Sequence, residues 1–210
     1  MGLNRWLPLS GVVSVALIII SVVGLGGSTP DEGASAEKVQ SFYGDGPARQ
    51  YIATFILAAA APFIVAFAVL LAATYWPTDP RRPIWELILT GGGVLFAVAV
   101  LGTAFIHFVL TAAGDKGVSG DAIRALNILD ADAWVLFNPA LGVMMLGAAG
   151  VLLSHVTTQR WLGWSALVLG VALFIPFADF FALILSLVWV LVESVLLFRR
   201  ATAAVPLHAT

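Results

Sequence analysis

The sequence predicts an all-α fold, a polytopic membrane helix bundle with six transmembrane helices and two short extracytoplasmic amphipathic helices. Two observations lead to this prediction. Of the 210 residues, 60% are hydrophobic and only 10% are charged, whereas a soluble domain has about 25% charged residues. The apolar residues also form runs long enough to cross a bilayer, which takes about 20 residues. We expect a single transmembrane domain over residues 1–210.

The predicted spans follow from the length of each apolar run. The first run is longer than the apolar core of a secretory signal peptide, which has about 7–15 residues, and this favours a retained helix over a cleaved signal. The six spans are placed at about 8–27, 50–75, 84–113, 133–154, 161–176 and 179–198.

The last apolar run, 161–198, is predicted to be a hairpin of two helices. As one helix it would extend about 57 Å, nearly twice the hydrocarbon thickness of about 30 Å. Pro176 cannot donate a helical hydrogen bond, and Asp179 follows three residues later. We therefore place a tight turn at 176–179 and expect Asp179 at the membrane surface, where its carboxylate can cap the next helix.

The basic residues predict the orientation of the chain. With six spans and a cytoplasmic N-terminus, more Lys and Arg lie inside than outside, whereas five spans would reverse this bias. Both termini are therefore predicted to be cytoplasmic. The residues placed inside are Arg5, Arg81, Arg82, Arg160, Arg199 and Arg200, and those placed outside are Lys38, Arg49, Lys116 and Arg124.

Two loops on the predicted outer side each contain a short amphipathic helix. Ser35 and Ser119 are suitable N-caps for them. Such helices either roof the bundle or cover a ligand or partner, and the pattern leaves both interpretations open. The apolar positions at helical spacing are Val39, Phe42 and Tyr43 in the first and Ile123, Leu126 and Leu129 in the second.

Four polar side chains are candidates for an intramembrane site: His107, Asn138, Asp179 and Glu193. An ionisable residue within a span is costly to bury and is therefore a functional hypothesis. Glu193 is either a proton or cation site or a carboxyl that snorkels or stays protonated. His107 shares a polar stripe with Thr103 and Thr111. This stripe either joins helices by hydrogen bonds or binds a cation or relays a proton. We expect His107 to approach Asn138, which lies at about the same depth in the bilayer.

The sequence excludes several classes of function. Because the chain has no cysteine, it has no disulfide, thiolate or iron–sulfur chemistry. A net charge of −2 argues against nucleic acid as a partner. No metalloprotease, phosphate-loop or nucleophile-elbow motif is present. We therefore predict no catalytic, cofactor-binding or metal-binding residues, no cofactor, and no enzymatic activity.

Several stretches resemble a family of bacterial multi-pass membrane proteins of unknown function. The resemblance implies a six-helix architecture and a place in the bacterial inner membrane, and it supplies no functional residues. The stretches are DEGASAEKVQSFYGDGPARQY (31–51), AIRALNILDADAW (122–134), RWLGW (160–164) and ALILSLVWVLVESVLLFRR (182–200).

Three functional hypotheses follow, of which a membrane enzyme ranks last because the sequence shows no pair of nucleophile and base. Because the polar groups are few and scattered, the sequence favours a structural or partner-binding membrane protein, embedded in the lipid bilayer and bound to a protein partner or to a second copy of itself. The alternative is a small protein that translocates an ion, a proton or a solute. That alternative requires the candidate polar residues to converge on one hydrated cavity.

Overall fold

The computed structural model describes residues 6–27, 29–75, 84–118, 120–154 and 160–203, and all regular secondary structure within them is helical. The predicted all-α fold is therefore confirmed. The α-helices are α1 (Ser10–Ile19), α2 (Ala36–Gly44), α3 (Pro47–Thr74), α4 (Ile84–Asp115), α5 (Asp121–Ala131), α6 (Trp134–Ser154), α7 (Arg160–Ala172) and α8 (Asp179–Ala203).

The length and apolar character of these helices are those of a multi-pass membrane protein. Within the described residues, five stretches are long and apolar enough to cross a bilayer: Leu7–Gly26, Pro47–Thr74, Ile84–Asp115, Asp121–Ser154 and Asp179–Thr202. The fourth stretch joins α5 and α6. The sixth predicted span corresponds to α7, which has 13 residues and extends only about 20 Å, so the count of six spans stays a prediction.

The break between the last two helices lies where Pro176 predicts it. Helix α7 ends at Ala172, four residues before the proline, and α8 begins at Asp179. Pro176 has no N–H to give to the Ala172 carbonyl, which instead accepts from the backbone N–H of Ile175 at 3.0 Å. The chain then reverses through Phe177, whose φ of 71° is left-handed.

The first apolar run differs from the single helix that we predicted over 8–27. It consists of a 3₁₀ turn (Leu7–Leu9), then α1, then a π-helix (Ile20–Gly26). The hydroxyl of Ser21 donates to the Ala53 carbonyl of α3 at 2.8 Å. This bond fastens the π-helix to α3, a contact that apolar patterning does not reveal.

Backbone packing divides the chain into two compact units, and the single transmembrane domain stays a prediction. Unit 1 comprises Met1–Val15, Pro62–Ala97 and Asn138–Thr210, and unit 2 comprises Ala16–Ala61 and Val98–Phe137.

In unit 1, α4 and α6 approach each other at glycines. A Cβ at Gly92 would overlap the backbone of Met144, and one at Gly147 would overlap the backbone of Leu89. Small residues permit this close contact between membrane helices, where dispersion replaces the hydrophobic effect as the driving force. Helix α8 packs against α7 and against Leu7–Leu9.

In unit 2, the two amphipathic helices α2 and α5 pack against each other. Ser35 accepts from the backbone N–H of Lys38 at 3.4 Å, which confirms it as the N-cap of α2. Ser119 lies outside the described residues, and Gly120 is the N-cap of α5. Leu129 is exposed and does not join the core. That core consists of Ala34, Val39, Tyr43, Leu110 and Ile123, flanked by Ala36, Phe42 and Leu126.

Candidate functional site

His107 lies on α4, and its imidazole ring is held between side chains of two other helices. Its Nδ1 is 3.0 Å from Oδ2 of Asp130 on α5, and its Nε2 is 3.1 Å from Oε1 of Gln50 on α3. Gln50 is buried, and the side chains of His107 and Asp130 are only 14% and 12% exposed. Three helices of unit 2 therefore meet at one imidazole ring. We call His107, Asp130 and Gln50 the imidazole cluster.

The orientation of the Gln50 amide determines how many protons the imidazole cluster holds. Gln50 Nε2 donates to the carbonyl of Gly26 at 3.3 Å. The amide oxygen Oε1 is then the atom that faces His107, and an amide oxygen can only accept. His107 Nε2 must therefore carry a proton. His107 Nδ1 faces a carboxyl oxygen, so a second proton lies between Nδ1 and Asp130 Oδ2.

This proton count has two equivalent forms. Either an imidazolium donates to a carboxylate, or a neutral imidazole accepts from a carboxylic acid. In both forms the pair carries one proton more than a neutral histidine beside an ionised aspartate, and its net charge is zero. Without that proton one ring nitrogen would direct its lone pair at the acceptor oxygen of Asp130 or of Gln50. Such repulsion is costly in the poorly polar interior of the protein. The imidazole cluster is complete only with a proton bound.

Tyr43, on α2, packs against this site. Its ring meets the ring of His107 edge to face, with the centroids 5.6 Å apart, and the whole side chain is buried. Burial first, and then the nearby Asp130 carboxylate, raise the pKa of Tyr43 above its ordinary value. The phenol therefore keeps its proton.

The polar stripe on α4 contributes one side chain to the site. The Thr103 hydroxyl donates to the Ala99 carbonyl at 3.1 Å, and the Thr111 hydroxyl donates to the His107 carbonyl at 2.8 Å. Both bonds return to the backbone of α4, as is usual for threonine within a helix. Of the three stripe residues, His107 alone bonds to other helices among the described residues.

A cavity of about 240 Å³ lies beside the imidazole cluster, and His107 and Asp130 line it. This volume has room for several water molecules. Its polar lining includes the hydroxyl residues Ser21, Thr54 and Thr103, and its apolar lining includes Leu57, Trp134 and Phe137.

A larger groove has a volume of about 660 Å³. Gln50 lines this groove and does not line the cavity. Charged side chains of both signs line the groove. Because Gln50 lines the groove and bonds to His107, the groove and the imidazole cluster share one residue. The charged residues of the groove are Asp31, Lys38, Asp45 and Arg49.

Asn138 and Asp179 form a second polar contact, in unit 1. Nδ2 of buried Asn138, on α6, donates to Oδ2 of half-buried Asp179 at 2.9 Å. Asp179 is the first residue of α8, so its place at the turn agrees with the sequence pattern. Among the hydrogen bonds of the described residues, its carboxylate accepts from a side chain of α6 and does not cap the backbone of α8.

The sequence pattern pairs His107 with Asn138, but each has a different partner in the structure. His107 bonds to Asp130 and Gln50, and Asn138 bonds to Asp179. The predicted contact rests on the equal depth of His107 and Asn138 in the bilayer. Depth does not specify the direction in which a side chain points.

Glu193 occupies a third environment, on α8 in unit 1. It is completely buried, and neither carboxyl oxygen accepts a hydrogen bond from the described residues. The four predicted site residues thus occupy three environments: the His107 cluster, the Asn138–Asp179 pair and the isolated Glu193.

Sequence patterns did not identify two members of the imidazole cluster. Asp130 lies outside the apolar pattern of the second amphipathic helix, and Gln50 is the first residue of the predicted span 50–75. One signal was available: Gln50 lies in the first turn of α3 and Asp130 in the last turn of α5, near the end of α4 that carries His107. Within the described residues, no group of three or more His, Cys, Asp or Glu side chains is placed to hold a metal ion.

Comparison with known proteins gives no match: no protein-family model, no curated protein and no solved structure matches the chain. The resemblance to bacterial membrane proteins of unknown function therefore stays a prediction.

We predict that Asp179→Ala lowers the thermal stability of the protein in detergent more than Asp179→Asn does. Alanine leaves the buried Asn138 amide without its acceptor, which costs about 1–3 kcal/mol, whereas asparagine keeps an acceptor oxygen. Circular dichroism during heating measures the difference. Asp45→Ala, at an exposed position, is the control, and equal melting temperatures for Asp179→Ala and this control would contradict the prediction.

Proposed function

We propose that the protein is a non-enzymatic integral membrane protein that binds and releases a proton at the His107–Asp130 pair, and that this proton controls the packing of α3, α4 and α5. One observation carries the proposal: His107 lies between two acceptor oxygens, one of which belongs to an amide oriented by the Gly26 carbonyl. This function belongs with the ion- and proton-handling hypothesis, which the sequence alone ranks second.

Loss of the proton breaks the imidazole cluster at a defined bond. A neutral imidazole has one N–H, so it donates either to Asp130 or to Gln50. The ionised Asp130 is the stronger acceptor, and the Nε2 lone pair is left facing Gln50 Oε1. Gln50 must then turn away, and its bond to the Gly26 carbonyl is lost with it. Proton release therefore loosens the start of α3 from the π-helix.

The ionisable groups that face His107 come from two helices. Helix α5 presents Asp130 and α2 presents Tyr43, while α3 presents the uncharged Gln50. Because Tyr43 keeps its proton, the charge of the cluster changes only through His107 and Asp130.

The cavity and the groove support exchange of this proton with water. His107 and Asp130 line the cavity together with four hydroxyl residues, and Gln50 lines the groove. Hydroxyl groups both donate and accept, so ordered water beside them can relay a proton to the pair.

We further propose that the protein resides in the inner membrane of a bacterium with both termini in the cytoplasm. The excess of Lys and Arg on the side of the termini supports this orientation, and the motif resemblance supports the bacterial membrane. In this orientation α2, α5 and the groove face the extracytoplasmic side, so the imidazole cluster responds to extracytoplasmic pH.

The groove supports a second candidate function, the binding of a protein partner or a second copy of the chain. Its lining offers two cations and two carboxylates, Lys38, Arg49, Asp31 and Asp45, for complementary charges. A partner seated there would touch Gln50 and would therefore be coupled to proton binding at His107. Lipid is the remaining proposed partner, with no role for nucleic acid or a cofactor.

We predict that raising the pH reduces the protection of α5 and of the first turns of α3 against hydrogen–deuterium exchange. The rates are corrected for intrinsic exchange at each pH and measured by mass spectrometry in nanodiscs. Loss of one hydrogen bond is worth about 0.5–1.5 kcal/mol, so protection falls by up to about tenfold. Peptides from α7 are the internal control.

His107→Gln and Asp130→Asn are expected to abolish this pH dependence, because neither variant forms the protonated pair. His155→Gln, which changes a histidine outside the described residues, is the matched control and keeps the wild-type response. A pH response that survives in His107→Gln would contradict the proposed function.

We predict that a membrane-impermeant maleimide labels Ser41→Cys in intact spheroplasts and labels Thr202→Cys only after lysis. The native chain has no cysteine, so each variant carries a single thiol. Ser41 is exposed on α2, and Thr202 lies in the last turn of α8. Labelling of residue 202 alone in intact spheroplasts would reverse the proposed orientation.

A further inference from the structure

The environment of Glu193 differs from that of every other candidate site residue. The side chain is completely buried within α8, and both carboxyl oxygens lack a hydrogen-bond partner among the described residues. Asp179, by contrast, accepts from Asn138, and Asp130 faces His107. A carboxylate that is removed from water without a donor is among the costliest groups to bury.

Other polar groups near Glu193 along α8 are also without partners. Ser194 and Ser186 are completely buried, and neither hydroxyl has a hydrogen-bond partner among the described residues. Gly11 approaches Ser194 so closely that a side chain at position 11 would overlap its hydroxyl oxygen. The polar atoms around Glu193 therefore offer hydrogen-bonding capacity that no described residue uses.

Arg200, further along α8, interacts electrostatically with Glu193, as does Tyr75 at the end of α3. The Tyr75 hydroxyl bonds to the Arg200 guanidinium, which also lies over the Tyr75 ring. Gly11 of α1 approaches α8 at Ser194. The Leu162 carbonyl of α7 accepts from Nε1 of Trp189 on α8 at 3.0 Å.

We propose that Glu193 is a second proton-binding site, separate from the His107–Asp130 pair. A proton on the carboxyl removes the cost of the buried charge and lets the group donate to a neighbouring acceptor. Arg200 provides the opposite influence, because its positive charge stabilises the carboxylate once the proton leaves. A buried carboxyl near a fixed cation can hold both states, as proton exchange requires.

A proton fits this site better than a metal cation does. A hard cation takes about six oxygen ligands or more. Glu193 supplies two, and Ser186 is seven residues away, about 10 Å along the helix axis. The proton needs only one carboxyl oxygen.

Modification by dicyclohexylcarbodiimide tests the proposal. This apolar reagent enters the bilayer and reacts with protonated carboxyls: the carboxyl oxygen bonds to the central carbon and the proton passes to nitrogen. The adduct then rearranges to a stable N-acylurea without loss of any group. The modified residue is identified by mass spectrometry of peptides from the full-length protein in nanodiscs.

We expect labelling of Glu193 at low pH, with a fall of about tenfold per pH unit above its midpoint as the protonated fraction declines. Arg200→Gln should raise the midpoint, because the carboxylate loses its stabilising charge. Glu193→Gln should fold normally, as judged by size-exclusion chromatography, and should lose the adduct, while His107→Gln should leave labelling unchanged. The last variant separates this site from the proposed function.

Three results would overturn the proposal. Labelling that is absent at every pH would mean that Glu193 stays ionised, and labelling that is constant with pH would mean that its proton never exchanges. If sodium chloride, but not choline chloride, protected Glu193 from labelling at fixed pH, the site would bind a sodium ion.

Discussion

The two hydrogen bonds of the His107 ring determine what the rest of unit 2 must provide. Helix α3 has to present Gln50 in its first turn, and α5 has to turn Asp130 inward. The Gly26 carbonyl is free to orient Gln50 because it lies at the end of the π-helix, where carbonyls have no partner within their own helix. The Tyr43 ring then packs against the imidazole from α2. Removal of Gln50, Asp130 or the Gly26 carbonyl would leave a polar atom of the cluster without its hydrogen-bond partner.

The polar groups of unit 1 are managed differently. Asn138 satisfies the carboxylate of Asp179 directly, so the turn before α8 is fastened to α6 by a neutral amide. Glu193 receives no such donor from the part of the chain that the structure describes, although it is more deeply buried. A carboxylate bonded to an amide has a structural explanation. An isolated buried carboxyl does not, and this difference is why Glu193 and not Asp179 is the candidate for proton exchange.

Much of the helical fold could be predicted because local chemistry determines it. Pro176 ends α7 four residues earlier by depriving the Ala172 carbonyl of a donor, and Ser35 starts α2. The site could not be predicted to the same extent. Helical periodicity gives the apolar face of α5 but not the direction of a residue beside that face, such as Asp130. Equal depth likewise suggested Asn138 as the partner of His107, because depth carries no information about rotation around the helix axis. The π-helix bonds through Ser21 to the Ala53 carbonyl, which is distant in sequence.

The proton between His107 and Asp130 is the central claim, and nuclear magnetic resonance can observe it directly. The protein would carry ¹⁵N-labelled histidine together with ¹³C- and ¹⁵N-labelled aspartate and glutamine. Its signals would be followed in nanodiscs as the pH is raised. Variants at positions 107, 130 and 50 would assign them. At low pH the pair should show either an imidazolium or a carboxylic acid, and the Gln50 amide signal should shift in the same pH interval in which that proton is lost. A neutral His107 beside an ionised Asp130, with the Gln50 signal unchanged throughout, would contradict the claim.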